Sequence, residues 1–389
     1  MMSILVCSMA FASCSSDVPT APNEEETGNP QQPGDTEGSV STVKFSLDFN
    51  SLSRANIPVD LDKYEVKVYV YEAVSEAWSK FSLLGNIWNI WDEYQGYTLL
   101  EQIDYDGTPI SIKLKKPDVP SLGVVIAHAK RYRYNIITVA STKGADALPD
   151  VSVGTSLSEQ FTKSISNKDL ESKDLESIEI FKSNIEILPT GEIDSDGKPK
   201  TGGELNIEGL TGDGEYNAGT NNIKAVLKRK SGEVQVTVMK NATSIIPELV
   251  NAKTIEVTIS YAASAIGFEP ITSPVDDKTR LSYDVNLNLK ETATIKKSFP
   301  VDFNNNNAEV LLLESLPKYI YAKGADSNGI ELKLEFKNEN GKIINSISVA
   351  QEKQFYIFPN TRSTITLGKS GFEFGNEINL DDDSWDGIH

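Results

Sequence analysis

With 389 residues and a formal net charge of −19, from 56 acidic against 37 basic residues, the chain is set against nucleic-acid backbones and anionic lipid heads, which would repel it. Its two cysteines, Cys7 and Cys14, both fall at the very start. A chain cut after residue 13 therefore has no disulfide, no internal thiol nucleophile and no thiolate metal site, and its fold must rest on packed cores.

In chain order, an apolar run of Ile4, Leu5, Val6, Met9 and Ala10 leads into Phe11-Ala12-Ser13-Cys14. It is too short to be a spanning helix of about 20 residues and reads as a secretory signal. The cysteine directly after small residues resembles the lipobox of bacterial lipoproteins, in which the thiol is acylated and becomes the new N-terminus. Residues 1–13 are then the signal peptide and Cys14 the lipidation site; the plainer reading is an ordinary signal with an incidental cysteine. From Ser15 to about Ser41 the chain is rich in Pro, Gly, Glu, Asn, Gln and Thr. That composition has little to bury and predicts a disordered tether over residues 14–41.

Beyond the tether, about 350 residues accommodate two domains at about 150 residues each. The recurrent pattern has period two. Val43, Phe45, Leu47 and Phe49 alternate with Lys44, Ser46 and Asp48, and the rhythm returns at Val66, Val68 and Val70. Further runs at 110–114, 134–139, 234–238, 254–259, 285–289, 330–336 and 343–349, punctuated by Asp-Gly and Asn-Gly turns, predict strands of β-sandwiches. Two stretches break the rhythm. Between Ala77 and Tyr94, Trp78, Phe81, Leu84, Trp88 and Trp91 fall three or four residues apart, which predicts a helix or loop packed on a sheet, with an exposed aromatic platform as the alternative. The tandem Lys-Asp-Leu-Glu-Ser of residues 168–177 reads as a charged surface segment. A polar, glycine-rich stretch from Leu188 to Gly214 places the domain boundary, giving residues 42–205 and 206–389.

Catalytic chemistry finds little footing. Of two histidines, His389 is the last residue and His128 reads as an ordinary strand-end residue. No serine or metal motif, phosphate-cradling loop or distinguished carboxylate pair accompanies them. The acidic run Asp381-Asp382-Asp383 lacks the spacing of a calcium loop. The chain is read as a non-enzyme without a cofactor.

Three segments read together carry a family resemblance. They are VKFSLDFNSLSRANI (residues 43–57) followed by YEVKVYVY (64–71), IKAVLKRKSGEVQVTV (223–238) with its conspicuous Arg229, and the C-terminal stretch from Ile357-Phe358-Pro359-Asn360 to Ser384-Trp385-Asp386-Gly387. From Val43 onward the chain resembles the fimbrillin family. The resemblance implies two tandem transthyretin-like Greek-key β-sandwiches, all-β, exported as an outer-membrane lipoprotein and assembled into a type V pilus on the surface of Bacteroidota. It also implies that an arginine-directed protease cuts after the first strand, here at Arg54, opening a groove. The groove-filling strand, with Val43, Phe45, Leu47 and Phe49, is then replaced by a strand from another subunit. The partners implied are other fimbrillin subunits, the outer membrane through lipid on Cys14, and a surface receptor. The alternatives are a tip or anchor subunit that keeps its leader, with Arg54 a solvated loop residue, and a monomeric surface lipoprotein that binds glycans through Trp78, Trp88 and Trp91.

Overall fold

The computed structural model describes residues 40–48, 61–82, 85–91, 93–115, 126–160, 162, 178–190, 206–263, 265–268, 292–315, 331–349, 357, 360–374 and 378–379. Cys14, Phe49, Arg54, the run 285–289 and the tandem repeat 168–177 lie outside them. Among the described residues every regular element is a strand or a short 3-10 turn.

Eleven strands build the first sandwich: β1 (Val40–Asp48), β2 (Tyr64–Ser82), β3 (Gly85–Trp91), β4 (Thr98–Asp104), β5 (Ile110–Lys115), β6 (Ile126–Thr142), β7 (Ile180–Thr190), β8 (Asn206–Gly212), β9 (Gly214–Asn217), β10 (Asn222–Val226) and β11 (Lys228–Arg229). One sheet runs β5-β1-β10-β9; the other runs β11-β7-β6-β2-β3, with β4 also on β2 and β8 on β7. Alternation along β2 sends Val66, Val68 and Val70 into the core between these sheets. Tyr69 and Tyr71, one step out of phase, are buried on the opposite face. Burial on both faces explains why β2 reads as a nearly unbroken run of β-branched and aromatic residues.

The second sandwich comprises β12 (Gly232–Met239), β13 (Thr254–Ala263), β14 (Thr292–Pro300), β15 (Ala308–Ser315), β16 (Glu331–Lys337), β17 (Ile343–Val349), β18 (Thr361–Gly368), β19 (Gly371–Phe374) and β20 (Ile378–Asn379). Its sheets run β15-β12-β18-β19, with β20 also on β18, and β14-β13-β16-β17. Each sandwich repeats one plan. The leading strand (β1 or β12) lies antiparallel to one neighbour (β5 or β15) and parallel to the other (β10 or β18). The facing sheets correspond as β4-β2-β6-β7 and β14-β13-β16-β17. The expected all-β class is what the chain adopts.

The sandwiches share a core. Phe268, just beyond β13, lies tilted against Tyr69 with ring centroids 4.7 Å apart, and its amide donates to Gln160 O at 2.9 Å. The buried Lys182 ammonium donates to Gly267 O at 2.9 Å.

Two expectations differ from this architecture. The aromatic stretch from Ala77 forms strands, not a helix: β2 continues to Ser82 and β3 returns antiparallel, pairing Ser79 with Trp88 and Ala77 with Trp91. Trp78, on β2, also pairs with His128, the third residue of β6. The intervals of three from Trp78 to Phe81 and from Trp88 to Trp91 lie within single strands, where a register shift between Ala77 and Ser79 breaks the period of two. The division at 205/206 also falls inside the first sandwich, since β8 to β11 all pair with its strands and the next sandwich begins at Gly232. The same pairing places β10 and β11, which span the start of the segment 223–238 that carries the resemblance, in the first sandwich. Two of the glycines that suggested a linker, Gly212 and Gly214, serve close packing instead. A Cβ on Gly212, at φ +100°, would lie 2.1 Å from Asn184 O, and one on Gly214 would lie 2.9 Å from Lys224 O, so only glycine fits.

Candidate functional site: the slot occupied by the first strand

Strand β1 is inserted into the middle of its sheet. Its side chains alternate as the sequence predicts: Val43, Phe45 and Leu47 are buried, while Thr42 and Lys44 face solvent. On one side β1 pairs antiparallel with β5, from Val40 opposite Lys115 to Phe45 opposite Ile110. On the other it pairs parallel with β10, from Lys44 opposite Asn222 to Asp48 opposite Val226. No tight turn joins β1 to either neighbour, because both come from distant sequence and the next strand, β2, belongs to the facing sheet. The ladder and the core hold this strand.

The inner face of β1 packs among Val68, Ile112, Leu114, Ile136, Ile223 and Ala225. At about 1.5–3 kcal/mol for each fully buried side chain, Val43, Phe45 and Leu47 together contribute roughly 5–9 kcal/mol. The polar rim adds direction more than strength. Asn221, at φ +47°, donates its side-chain amide to Thr42 O at 2.8 Å and accepts the Lys44 amide on its carbonyl at 2.9 Å. Asn222 Nδ2 donates to Ser46 Oγ at 3.0 Å. Lys224 Nζ pairs with Asp48 at 2.7 Å, a half-exposed ion pair of about 0–1 kcal/mol. Apolar burial thus dominates retention of β1. Phe45→Ala is expected to lower unfolding free energy by about 3–5 kcal/mol in denaturant titration, with Lys44→Ala within about 0.5 kcal/mol of the parent. Equal effects of the two would contradict this placement.

At the far end of β5 a charged network closes the slot. The Lys115 amide donates to Tyr134 Oη at 2.8 Å, Tyr134 Oη donates to Glu72 Oε2 at 2.7 Å, and Lys115 Nζ reaches Glu72 Oε1 at 3.0 Å. Burial, followed by the Glu72 carboxylate, pushes the Tyr134 phenol far above its ordinary value. Sequence reasoning passed over this group, although a signal was present: Glu72 continues the inward phase of Val66, Val68 and Val70, and a carboxylate in that phase needs a buried partner.

At the joint between the sandwiches, Arg229 is buried between Glu179, at 2.6 Å, and Glu314 of β15, at 3.2 Å. The ring of Phe181 lies 5.0 Å from its guanidinium carbon, and the Tyr64 hydroxyl donates to Glu179. Burial alone would draw this guanidinium downward; Glu314 and Glu179 more than offset it, and its value rises.

Of the residues singled out from sequence, the structure brings Val43, Phe45 and Leu47 together on the inner face of β1. It places Trp78 on β2 and Trp88 and Trp91 on β3, apart from that slot's strands. Cys14, Phe49 and Arg54 are outside the described residues.

No family model matches the chain, and no curated protein matches it. Among solved structures it is similar to the fimbrial anchor protein Mfa2 from Porphyromonas gingivalis, at 10% identity over 87% of this chain and 97% of that one, with a TM-score of 0.35. It is similar to a fimbrial assembly protein from Parabacteroides distasonis, at 10% identity over 88% and 97%, with a TM-score of 0.33. It is also similar to a candidate polysaccharide-binding protein from Bacteroides thetaiotaomicron, at 11% identity over 88% and 98%, with a TM-score of 0.39. Identities and TM-scores this low assign no family, and the functional reading rests on the slot itself.

Proposed function

We propose that this chain is a non-catalytic subunit of a cell-surface fimbria, exported as a lipoprotein through Cys14 and joined to other subunits by exchange of its first strand. The observation that carries this reading is the position of β1: a central strand, parallel to β10, that is bound to its sheet without a turn to either neighbour. Removing such a strand leaves an apolar slot with two unpaired backbone edges. A strand from another subunit refills it by supplying main-chain hydrogen bonds and alternating apolar side chains together. The second sandwich supports the comparison, because β12 fills the corresponding slot while tied directly to the first sandwich through Lys230 and Ser231. In this reading cleavage at Arg54, between β1 and β2, separates the leader and β1 from the body.

Limited digestion of the purified chain with an arginine-specific protease, followed by intact-mass measurement and native sizing, tests the proposal. The expected result is an early cut at Arg54 and the growth of stable oligomers. A chain that resists cutting there, or that is cut and stays monomeric, would overturn strand exchange as its function.

A further inference from the structure

Strand exchange requires the slot to outlive its occupant, and its two walls differ in this respect. β10 keeps a ladder of its own when β1 is gone: it pairs with β9 from Asn222 opposite Asn217 to Ala225 opposite Gly214, and the Val226 amide donates to Asp213 O at 2.8 Å. β5 is an edge strand whose ladder neighbour among the described residues is β1 alone. Without β1 it has no backbone partner in its sheet, and an unpaired six-residue strand held by Ile112 and Leu114 would fray.

The network at its end changes that outcome. Lys115 is the last residue of β5. Its amide is bonded to Tyr134 Oη on β6 and its ammonium to Glu72 on β2, so both contacts reach the facing sheet and neither involves β1. Tyr134 and Glu72 are in turn bonded to each other, and the Lys115 ammonium lies 5.3 Å from the centre of the Tyr132 ring, also on β6. Tyr134 is fully buried and Glu72 is 7% exposed, so the charge-assisted bond between them acts where solvent screens it little, while the Lys115 ammonium, 40% exposed, closes the network at the surface.

We infer that Lys115, Glu72 and Tyr134 form a clamp that keeps β5 standing as one wall of the slot when β1 leaves, so that an incoming strand meets a preformed groove. These are positioning residues: Lys115 also stands opposite Val40 in the ladder, but the hydrogen bonds of the clamp join β5 to the facing sheet and not to the exchanged strand. The inference rests on the strand-exchange reading and adds to it the device that keeps the acceptor competent.

The test uses the full chain with a specific protease sequence inserted between residues 49 and 60. The chain is nicked there and challenged with excess fluorescent peptide of residues 40–48. Capture is followed by anisotropy, and the product is sized by gel filtration. The parent should give a monomeric one-to-one complex. Tyr134→Phe and Lys115→Met should each capture peptide at least about tenfold more slowly, the effect of losing a buried hydrogen-bonding partner, with part of the protein aggregating once β1 is released. Val257→Ala, a core truncation on β13 of the second sandwich and away from the slot, serves as the control for lost stability and should capture at the parental rate. If both clamp variants capture peptide as the parent does, or if Val257→Ala slows capture equally, the clamp is overturned. A parent that captures no peptide would instead overturn strand exchange itself.

Discussion

Arg229→Met is expected to destabilise the chain by about 3–5 kcal/mol, because it strands the carboxylates of Glu179 and Glu314 in a joint where the guanidinium was 5% exposed. The ion cluster joins elements of both sandwiches, Glu179 preceding β7 and Glu314 on β15, and only Lys230 and Ser231 separate β11 from β12. Loss of the bridge is therefore expected to cut the cooperation between sandwiches as well as total stability. Calorimetry of the parent should show one transition, and that of Arg229→Met two. The triple variant Arg229→Met, Glu179→Leu, Glu314→Leu distinguishes the mechanism. Replacing all three charges by apolar groups of similar size removes the two carboxylates that lost their cation and should restore most of the loss. A variant that unfolds in one step within about 1 kcal/mol of the parent would show that the two sandwiches are coupled by Phe268 and Tyr69 and not by the arginine.

What the sequence made legible follows from the range of the forces involved. Strand identity is local: the alternation of Val43, Phe45 and Leu47 fixed both the existence of β1 and its buried face, and the run 343–349 became β17 with the same bounds. Pairing is not local. Nothing in residues 40–48 says that their neighbours are 110–115 and 222–226, so the central position of β1 became visible only with the sheet order. The glycine stretch before Gly214 misled for a related reason. Glycine marks both a flexible linker and a close backbone approach, and only the carbonyl of Asn184 against Gly212 tells them apart. The tryptophan spacing misled because a helical period and a strand pair interrupted by a register shift yield similar intervals. Arg229 drew notice as a conspicuous residue, but its role depends on Glu314, which lies 85 residues further on.

The phenols that line the cores make a second large effect predictable. Tyr69, Tyr71 and Tyr134 are fully buried, and burial holds all three above their ordinary range, reinforced at Tyr69 by Tyr71 and Asp150 and at Tyr134 by Glu72. Tyr64 and Tyr97 move in the same direction, burial again being the first cause. An unfolded tyrosine releases its proton near pH 10, while the folded chain keeps these protons at higher pH. The folded state thus binds more protons above pH 10, so the stabilisation is fully present below that value and is lost as pH rises. At about 1.4 kcal/mol per group for each pH unit, the three core phenols together remove about 4 kcal/mol per unit, against a total stability on the order of 5–15 kcal/mol. Alkaline titration should accordingly show the tyrosinate absorbance of Tyr69, Tyr71 and Tyr134 appearing well above pH 10, in a single step that coincides with loss of the β-sheet circular dichroism. A single phase near pH 10 with the sheet signal retained would contradict the burial of these groups. Tyr71→Phe sharpens the test, since the Tyr71 hydroxyl is buried without a hydrogen-bond partner. Deleting it should leave stability at pH 7 unchanged or raised by about 1 kcal/mol while making the alkaline loss less steep. Tyr134→Phe should instead lower stability at pH 7, because it leaves the Lys115 amide and Glu72 short of a partner.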